Sequence, residues 1–194
     1  MDFIMSAYDI VKRFVLFSVV LLLSSGSIAD GFKVQSAQVR KVGNGYILNA
    51  NIEYPLTPRV KEALSNGVPI TFQQQLELSH STSLLVKLWQ WETILWTSTL
   101  RYELRYHALS EQFVLKALDT GHHRNFPSLA SALSALGTIS SLNLPPEYLS
   151  DTDGLVLKIR SGLDLHALPT PMRPGALIST KWQLTSPWTI ATWP

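Results

Sequence analysis

The stretch ILWTSTLRYELRYH, residues 94–107, carries the clearest pattern in the sequence. One face of this stretch is mostly apolar and comprises Trp96, Ser98, Leu100, Tyr102, Leu104 and Tyr106. The other face is polar or charged and comprises Thr97, Thr99, Arg101, Glu103, Arg105 and His107. A period of two residues is typical of a β-strand with one buried and one solvated face. The stretch therefore predicts a long strand in an antiparallel sheet.

The same alternation recurs along most of the chain between turn residues. It predicts further strands at residues 32–42, 46–54, 68–79, 84–91, 112–118, 154–166, 177–184 and 188–193. Gly43-Asn44-Gly45 predicts a tight hairpin turn between the first two strands, because glycine accepts the positive φ angles that such a turn needs. Residues 119–126 are polar and predict a loop. The last strand ends in Trp193-Pro194 and is expected to dock onto a sheet.

Helical spacing is found in two short segments. Residues 58–65 follow Thr57, which can cap a helix that begins at Pro58. Residues 128–136 place Leu129, Ala132, Leu133 and Leu136 on one helical face. Together these patterns predict a mainly β fold, an antiparallel β-sandwich-like domain with two short helices, preceded by an N-terminal signal segment.

The N-terminal residues resemble a secretion signal. Lys12 and Arg13 precede the apolar run FVLFSVVLLL, residues 14–23, and Ala29 fits the last position before a cleavage site. We therefore assign residues 1–29 to a signal peptide or an uncleaved membrane anchor, and residues 30–194 to a single β-rich envelope domain. Both alternatives predict export, to the periplasm or to the periplasmic face of the inner membrane. Membrane contact is expected only through residues 14–28, if they are not cleaved.

Composition excludes several classes of protein. The chain has 194 residues, 16 Lys and Arg against 14 Asp and Glu, and a net charge of +2, which is too small to indicate a nucleic-acid partner. It has no cysteine, so it forms no disulfide and uses no thiol nucleophile and no lipidated cysteine. An exported domain of this kind depends on its hydrophobic core alone.

The sequence holds no motif typical of catalysis or of cofactor binding. A nucleophile elbow, a phosphate-binding loop, a dinucleotide fingerprint and a zincin motif are all missing. His122 and His123 are adjacent and point apart on an extended chain, so we expect a solvated loop and no metal site. We predict no cofactor and no enzymatic activity. The alternative is a hydrolase-like activity that would pair His107 or His122 with Glu103 or Asp119.

The candidate binding residues lie on the predicted strands. Arg101, Glu103 and Arg105 form a charged row that could solvate the sheet or dock a partner. Trp89 and Trp91 share one face of their strand. Buried, these tryptophans would be part of the core; exposed, they would indicate a binding edge or a membrane-contacting edge.

Four segments in a fixed order resemble a known family. They are TLRYELRYHALSEQFVL (99–115), FPSLASALSALGTI (126–139), LDLHALPTP (163–171) and KWQLTSPW (181–188). Together they resemble a family of exported proteobacterial proteins that is catalogued as a domain of unknown function, over roughly residues 31–193. Lys181 departs from the arginine that is usual in the family and keeps its charge.

The resemblance implies a signal segment followed by one envelope domain, with no assigned catalytic residue. Members of the family tend to be encoded beside a membrane sensor kinase. We therefore expect a non-enzymatic envelope domain that binds a protein partner, with a membrane sensor kinase as the suggested partner. The alternative is a carrier for an apolar ligand such as a lipid, which the aromatic-rich strands could hold in a cavity between two sheets.

Overall fold

In the computed structural model, which describes residues 31–83, 90–149 and 151–194, the chain is mainly β and forms two antiparallel sheets. The strands are β1 (Lys33–Val42), β2 (Gly45–Glu53), β3 (Ile70–Ser83), β4 (Gln90–His107), β5 (Gln112–Ala117), β6 (His123–Phe126), β7 (Thr138–Asn143), β8 (Leu155–Leu163) and β9 (Thr189–Ile190). The α-helices are α1 (Pro58–Ser65), α2 (Leu129–Gly137) and α3 (Arg173–Ile178). Single 3-10 turns cover Pro146–Tyr148, Leu165–Ala167 and Thr170–Met172.

The smaller sheet has the strand order β1-β2-β7, and the larger sheet has the order β6-β5-β4-β3-β8-β9. The long β3–β4 hairpin forms the centre of the larger sheet, with Phe72 opposite Tyr102 and Leu76 opposite Ser98. Residues 94–107, from which the fold was predicted, lie entirely within β4. The predicted first hairpin is also confirmed: Val42 pairs with Gly45, and Gly43 adopts a φ of 58° in the turn.

The core lies between the two sheets. At its centre the ring of Tyr54 is 4.7 Å from that of Phe32 and 5.3 Å from that of Phe72, both edge to face. All three side chains are buried, together with leucines and isoleucines from the inner sides of both sheets. Edge-to-face packing of this kind adds to the stabilisation that the buried apolar area provides.

The C-terminal segment joins the two sheets along one side. Ile190 of β9 pairs with Lys158 in the larger sheet. Two residues later, the backbone of Thr192 accepts a hydrogen bond from Val39 N (2.8 Å) and donates one to Ala37 O (3.0 Å) in the smaller sheet. The expected docking of the last strand is therefore found, and this segment belongs to both sheets.

The opposite side of the two sheets has a different arrangement. Here the free edges are β6 of the larger sheet and β7 of the smaller one, and α2 connects them in the chain. Both predicted helices have an N-terminal cap: Thr57 Oγ1 accepts a hydrogen bond from Val60 N (3.4 Å), as predicted, and Ser128 Oγ accepts one from Ser131 N (3.1 Å).

Two local predictions are wrong and one strand was missed, each for a physical reason. Residues 119–126 include β6, an edge strand whose three consecutive polar residues, 123–125, imitate a loop. β7 was not predicted, because a bulge at Ser140 and Ser141 interrupts its alternation. Residues 177–184 are not a strand: α3 ends at Ile178, and the rest is turns and extended chain.

Burial nevertheless alternates in the region where a strand was predicted at 177–184. Trp182, Leu184 and Ser186 are buried in turn, and the residues between them are exposed. The segment docks against β8 through the bridge between Gly162 and Thr185 and not through a continuous ladder. Burial with a period of two therefore arises here without a strand.

Residues 1–29 lie outside the described residues, and so do residues 84–89 of the strand predicted at 84–91. Residues 90 and 91 belong to β4. None of the helices in the described part of the chain has the length and apolarity needed to cross a bilayer. The proposed signal or anchor segment therefore stays a prediction.

Gly137 fixes how closely α2 approaches β2. A Cβ placed on Gly137 would lie 2.1 Å from the carbonyl oxygen of Ile52, so the two backbones would have to separate. We expect Gly137→Ala to lower the free energy of unfolding by at least about 2 kcal/mol. Chemical denaturation followed by circular dichroism measures this change.

Gly175 in α3 provides a matched control, because its Cβ would meet nothing within 4 Å. We expect Gly175→Ala to be neutral or to stabilise the domain by up to about 1 kcal/mol. Equal unfolding midpoints for the two variants would contradict the close approach described for Gly137.

Candidate functional site

The solvated face predicted for residues 94–107 is one side of the larger sheet, which we call the outer face. Arg101, Glu103 and Arg105 alternate along β4 on this face, and the intervening Leu104 is buried on the other. Arg101 and Arg105 are exposed, whereas Glu103 is half-buried and stands opposite Lys116 of β5. The structure thus brings the three charged candidates together on one open surface.

Asp119 is the partner of Arg101. Its carboxylate accepts a hydrogen bond from Arg101 N (3.1 Å), and its second oxygen lies 3.7 Å from the guanidinium. Both side chains are about half exposed, so solvent screens this ion pair and it contributes little to stability. Arg105 forms no ion pair with any of the described residues.

The outer face continues onto β8 and the segment around β9. The Arg160 guanidinium lies 4.5 Å from the centre of the Trp188 ring, and its Nε donates to Gln75 Oε1 (2.6 Å). Trp188 is 39% exposed and Ile190 63% exposed. An exposed tryptophan beside an arginine in a fixed position is typical of the residues that contribute most to protein interfaces.

A polar cluster borders this surface at the end of the β3–β4 hairpin. The Glu92 carboxylate accepts a hydrogen bond from Ser79 Oγ (2.5 Å) and forms an ion pair with Lys158. The hydrogen bond from Lys158, followed by that from Ser79, lowers the pKa of Glu92. These contacts join β3, β4 and β8 at the rim of the outer face.

Neither of the two tryptophan candidates has a described side chain. Trp89 lies outside the described residues. The backbone of Trp91 pairs with Thr82 in the β3–β4 hairpin, but its side chain is not among those described. Whether these tryptophans are buried or exposed therefore stays a prediction.

A groove of about 650 Å³ lies on the side where β6 and β7 are free edges, and we call it the inter-sheet groove. Its residues come from β4 and β6 of the larger sheet, from α2 and from β7 of the smaller sheet. They are Leu100, Tyr102, Arg124, Phe126, Ser131, Ser134, Ala135, Thr138, Ile139, Ser140 and Leu142. Leu100 and Tyr102 are on the inner side of β4 but stay half-exposed there, because the smaller sheet does not cover them. Partial burial, followed by the nearby charge of Asp119, raises the pKa of Tyr102.

Arg124 brings one positive charge to this groove. In register it stands opposite the buried Leu115, so it lies on the inner side of the larger sheet. Its guanidinium lies 5.0 Å from the centre of the Phe126 ring. It is the only charged residue among the described residues that line the groove.

A second cleft, of about 850 Å³, lies between α1 and α3, and we call it the C-terminal cleft. Thr57 Oγ1 donates to the carbonyl oxygen of Lys181 (2.8 Å), which ties the start of α1 to the C-terminal segment. The cleft wall includes Arg59, which is already paired with Glu62 at 3.0 Å. Its other lining residues are Pro58, Pro171, Met172, Gly175, Ala176, Ser179 and Trp182.

A buried polar network lies beneath these surfaces. Gln74 is fully buried, and its Nε2 donates both to Tyr54 Oη (2.9 Å) and to the carbonyl oxygen of Leu136 (2.8 Å). Tyr54 Oη is 3.0 Å from Ser161 Oγ, which donates to the carbonyl oxygen of Gln73 (3.0 Å). Because Ser161 has a single hydroxyl proton, Tyr54 must be the donor to Ser161.

The histidines are spread over the surface. His107 and Glu103 are four residues apart on one strand, which places their Cα atoms roughly 13 Å apart. His122 is exposed in the turn before β6. No group of three potential metal-ligating side chains occurs within the described residues.

Sequence reasoning missed Arg124 and Phe126, because it placed them in a loop. It also did not include Trp188 among the candidate binding residues, although the side chain is partly exposed beside Arg160. The spacing of Arg124 and Phe126 could have identified this pair. The two residues are two positions apart and follow a predicted strand, which is typical of one face of a short strand that pairs back in a hairpin.

The geometry defines a mainly β domain with an open charged sheet face and a groove between its sheets. The sequence model of a family described as a domain of unknown function (DUF4390) matches residues 29–192. The chain therefore belongs to this family, which confirms the resemblance at the level of an uncharacterised domain. Comparison with curated proteins and with solved structures gives no match.

The buried network predicts how stability depends on alkaline pH. Burial raises the pKa of Tyr54 to about 12, against an ordinary value of 10.0. The unfolded chain therefore loses this proton first, and the free energy of unfolding falls between pH 10 and pH 12, by up to about 3 kcal/mol in total. We expect Tyr54→Phe to cost about 1–3 kcal/mol at pH 7 and to reduce this alkaline loss.

Urea denaturation of both proteins between pH 7 and pH 11.5 tests the prediction. Tyr46→Phe removes a different tyrosine and serves as the control, which should retain the alkaline loss. Parallel pH profiles for the wild type and Tyr54→Phe would show that Tyr54 does not cause the loss.

Proposed function

We propose that the chain is an exported, sandwich-like β-domain without enzymatic activity, which binds a protein partner through the outer face of its larger sheet. In this proposal residues 1–29 are a signal peptide or an anchor. The domain acts in the periplasm or on the periplasmic face of the inner membrane.

The observation that carries the proposal is the stack of Arg160 on the partly exposed Trp188, next to the exposed Ile190. A solvated sheet face usually carries polar side chains, so large apolar groups there indicate a contact surface. Arg101 and Arg105 extend the same surface along β4. Charges around an apolar centre increase the association rate and fix the orientation of a partner.

A membrane sensor kinase is the partner that we propose, on the basis of the family resemblance. Its exported sensory part would share the compartment proposed for this domain. In this proposal, the partner binds to the outer face without a cofactor and without contact between that face and a membrane. The association would therefore be measurable between two soluble domains.

The test is a titration of the purified domain, residues 30–194, against the exported region of a sensor kinase that is encoded beside it. We expect Arg101→Glu/Arg105→Glu to weaken binding about tenfold or more, and Trp188→Ala to act similarly. The matched control is Arg40→Glu/Lys61→Glu, which makes the same charge change at exposed positions away from the outer face.

A photo-crosslinking residue at Thr99, in the middle of the outer face, extends the test to partners in living cells. The proposal fails if the sensor region does not bind and if no protein crosslinks to Thr99. It also fails if the outer-face variants and the control variants bind a partner equally well.

The second candidate function is binding of an apolar ligand between the sheets. Its support is the half-exposed inner side of β4 at Leu100 and Tyr102, which opens into the inter-sheet groove. The groove volume of about 650 Å³ lies within the usual range for ligand sites, roughly 300–1,000 Å³.

Native mass spectrometry of the domain purified from cell envelopes tests this candidate. We expect an added mass of an apolar molecule on the wild-type protein and its loss in Ser134→Trp, which would fill the groove from an exposed position of α2. Lys61→Trp on α1 is the control. The same adduct on Ser134→Trp would place the ligand elsewhere.

A further inference from the structure

The inter-sheet groove is open on the side where the two sheets are not joined. Thr192 connects the sheets on the opposite side, whereas here, within the described part of the chain, the helix α2 lies between the edge strands β6 and β7. This inference rests on the second candidate function and concerns the chemistry of the ligand.

The edge of β7 argues against an extended peptide as the occupant. Leu48 pairs with Leu142 and Ala50 pairs with Ile139, so Ser140 and Ser141 together oppose Asn49. Ser141 has a φ of 54°, and its backbone N–H donates to Asn49 Oδ1 (2.9 Å). A bulge of this kind interrupts the hydrogen-bonding row that an added strand would need.

The groove offers apolar contact to an occupant that needs no backbone ladder. Leu100 and Tyr102 form part of its floor, Phe126 lies on β6, and Leu142 is half-buried on β7. A flexible hydrocarbon chain fits such a surface, because it gains free energy from apolar area alone.

The positive charge of the groove indicates the charge of the group at the end of the hydrocarbon chain. Arg124 is exposed at the rim on the inner side of the larger sheet, where the ring of Phe126 supports it. None of the carboxylates in the described part of the chain forms an ion pair with it. A guanidinium can bind a carboxylate or a phosphate through two parallel hydrogen bonds.

We propose that the inter-sheet groove binds a single-chain amphiphile with an anionic head group. The hydrocarbon chain lies along Leu100, Tyr102 and Leu142, and the carboxylate or phosphate of the head group binds Arg124. A free fatty acid and a lysophospholipid both have this chemistry.

The test measures equilibrium binding of palmitate, lysophosphatidylglycerol and hexadecanol to the domain, below the concentrations at which they aggregate. Hexadecanol has the palmitate chain without its charge. We expect at least one anionic amphiphile to bind at least about tenfold more tightly than hexadecanol, which corresponds to one charge-assisted contact. Binding of palmitate alone identifies a fatty acid as the source, and binding of the lysophospholipid alone identifies a lipid phosphate.

Arg124→Gln should remove most of the preference for the anion and leave hexadecanol binding unchanged. Arg124→Lys should retain part of the preference, and Arg40→Gln, the same change at an exposed position of β1, should retain all of it. Ser134→Trp should abolish binding of all three compounds. Circular dichroism confirms that each variant is folded.

Two different results would overturn the proposal, and they show whether the second candidate function fails with it. If hexadecanol binds as tightly as the anionic amphiphiles and Arg124→Gln changes nothing, the head-group inference is wrong and apolar binding stands. If none of the compounds binds the wild-type domain, the inference and the second candidate function are both wrong.

Discussion

The buried amide of Gln74 is the contact on which the arrangement of the domain depends. One hydrogen of its Nε2 is donated to Tyr54, at the end of the smaller sheet, and the other to the last turn of α2. The carbonyl of Leu136 is one of the groups that a helix leaves without an internal partner at its C-terminus. A side chain at the centre of the larger sheet therefore fixes both the other sheet and the helix between them.

That constraint explains why the two proposed sites are separate. The inner side of the larger sheet is covered by the smaller sheet around Tyr54, and the cover ends at Leu100 and Tyr102, where the inter-sheet groove begins. The outer face lies on the opposite side of the same strands. Because β4 contributes Tyr102 to one site and Arg101 to the other, a change in the backbone of β4 would affect both sites.

Much of the fold could be predicted because burial imposes alternation. Residues 94–107 lie on one strand with the predicted faces, and Thr57 and Ser128 cap the two predicted helices. The sequence is misleading where alternating burial occurs without strand pairing, or strand pairing without buried apolar residues. Trp182 and Leu184 alternate with exposed residues without a ladder, and β6 has a ladder without buried apolar residues.

The candidate sites were harder to predict, since they depend on long-range contacts. The charged row at Arg101 and Arg105 could be predicted from one strand, and both side chains are exposed in the structure. The stack of Arg160 on Trp188 joins residues 28 positions apart, and the groove joins four separate elements. Local pattern contains no information on either juxtaposition.

The pairing of Thr192 with Ala37 also bears on how the chain acquires its structure. These residues are 155 positions apart, so the backbone pairing between the two sheets cannot form until residues near Thr192 are available. Contacts of such long sequence separation are associated with slow folding. During synthesis, one edge of β1 would stay unpaired until residues near Thr192 are available, and such an edge exposes a chain to aggregation. The docking of the segment around Thr192 onto β1 is therefore expected to be a late step of folding.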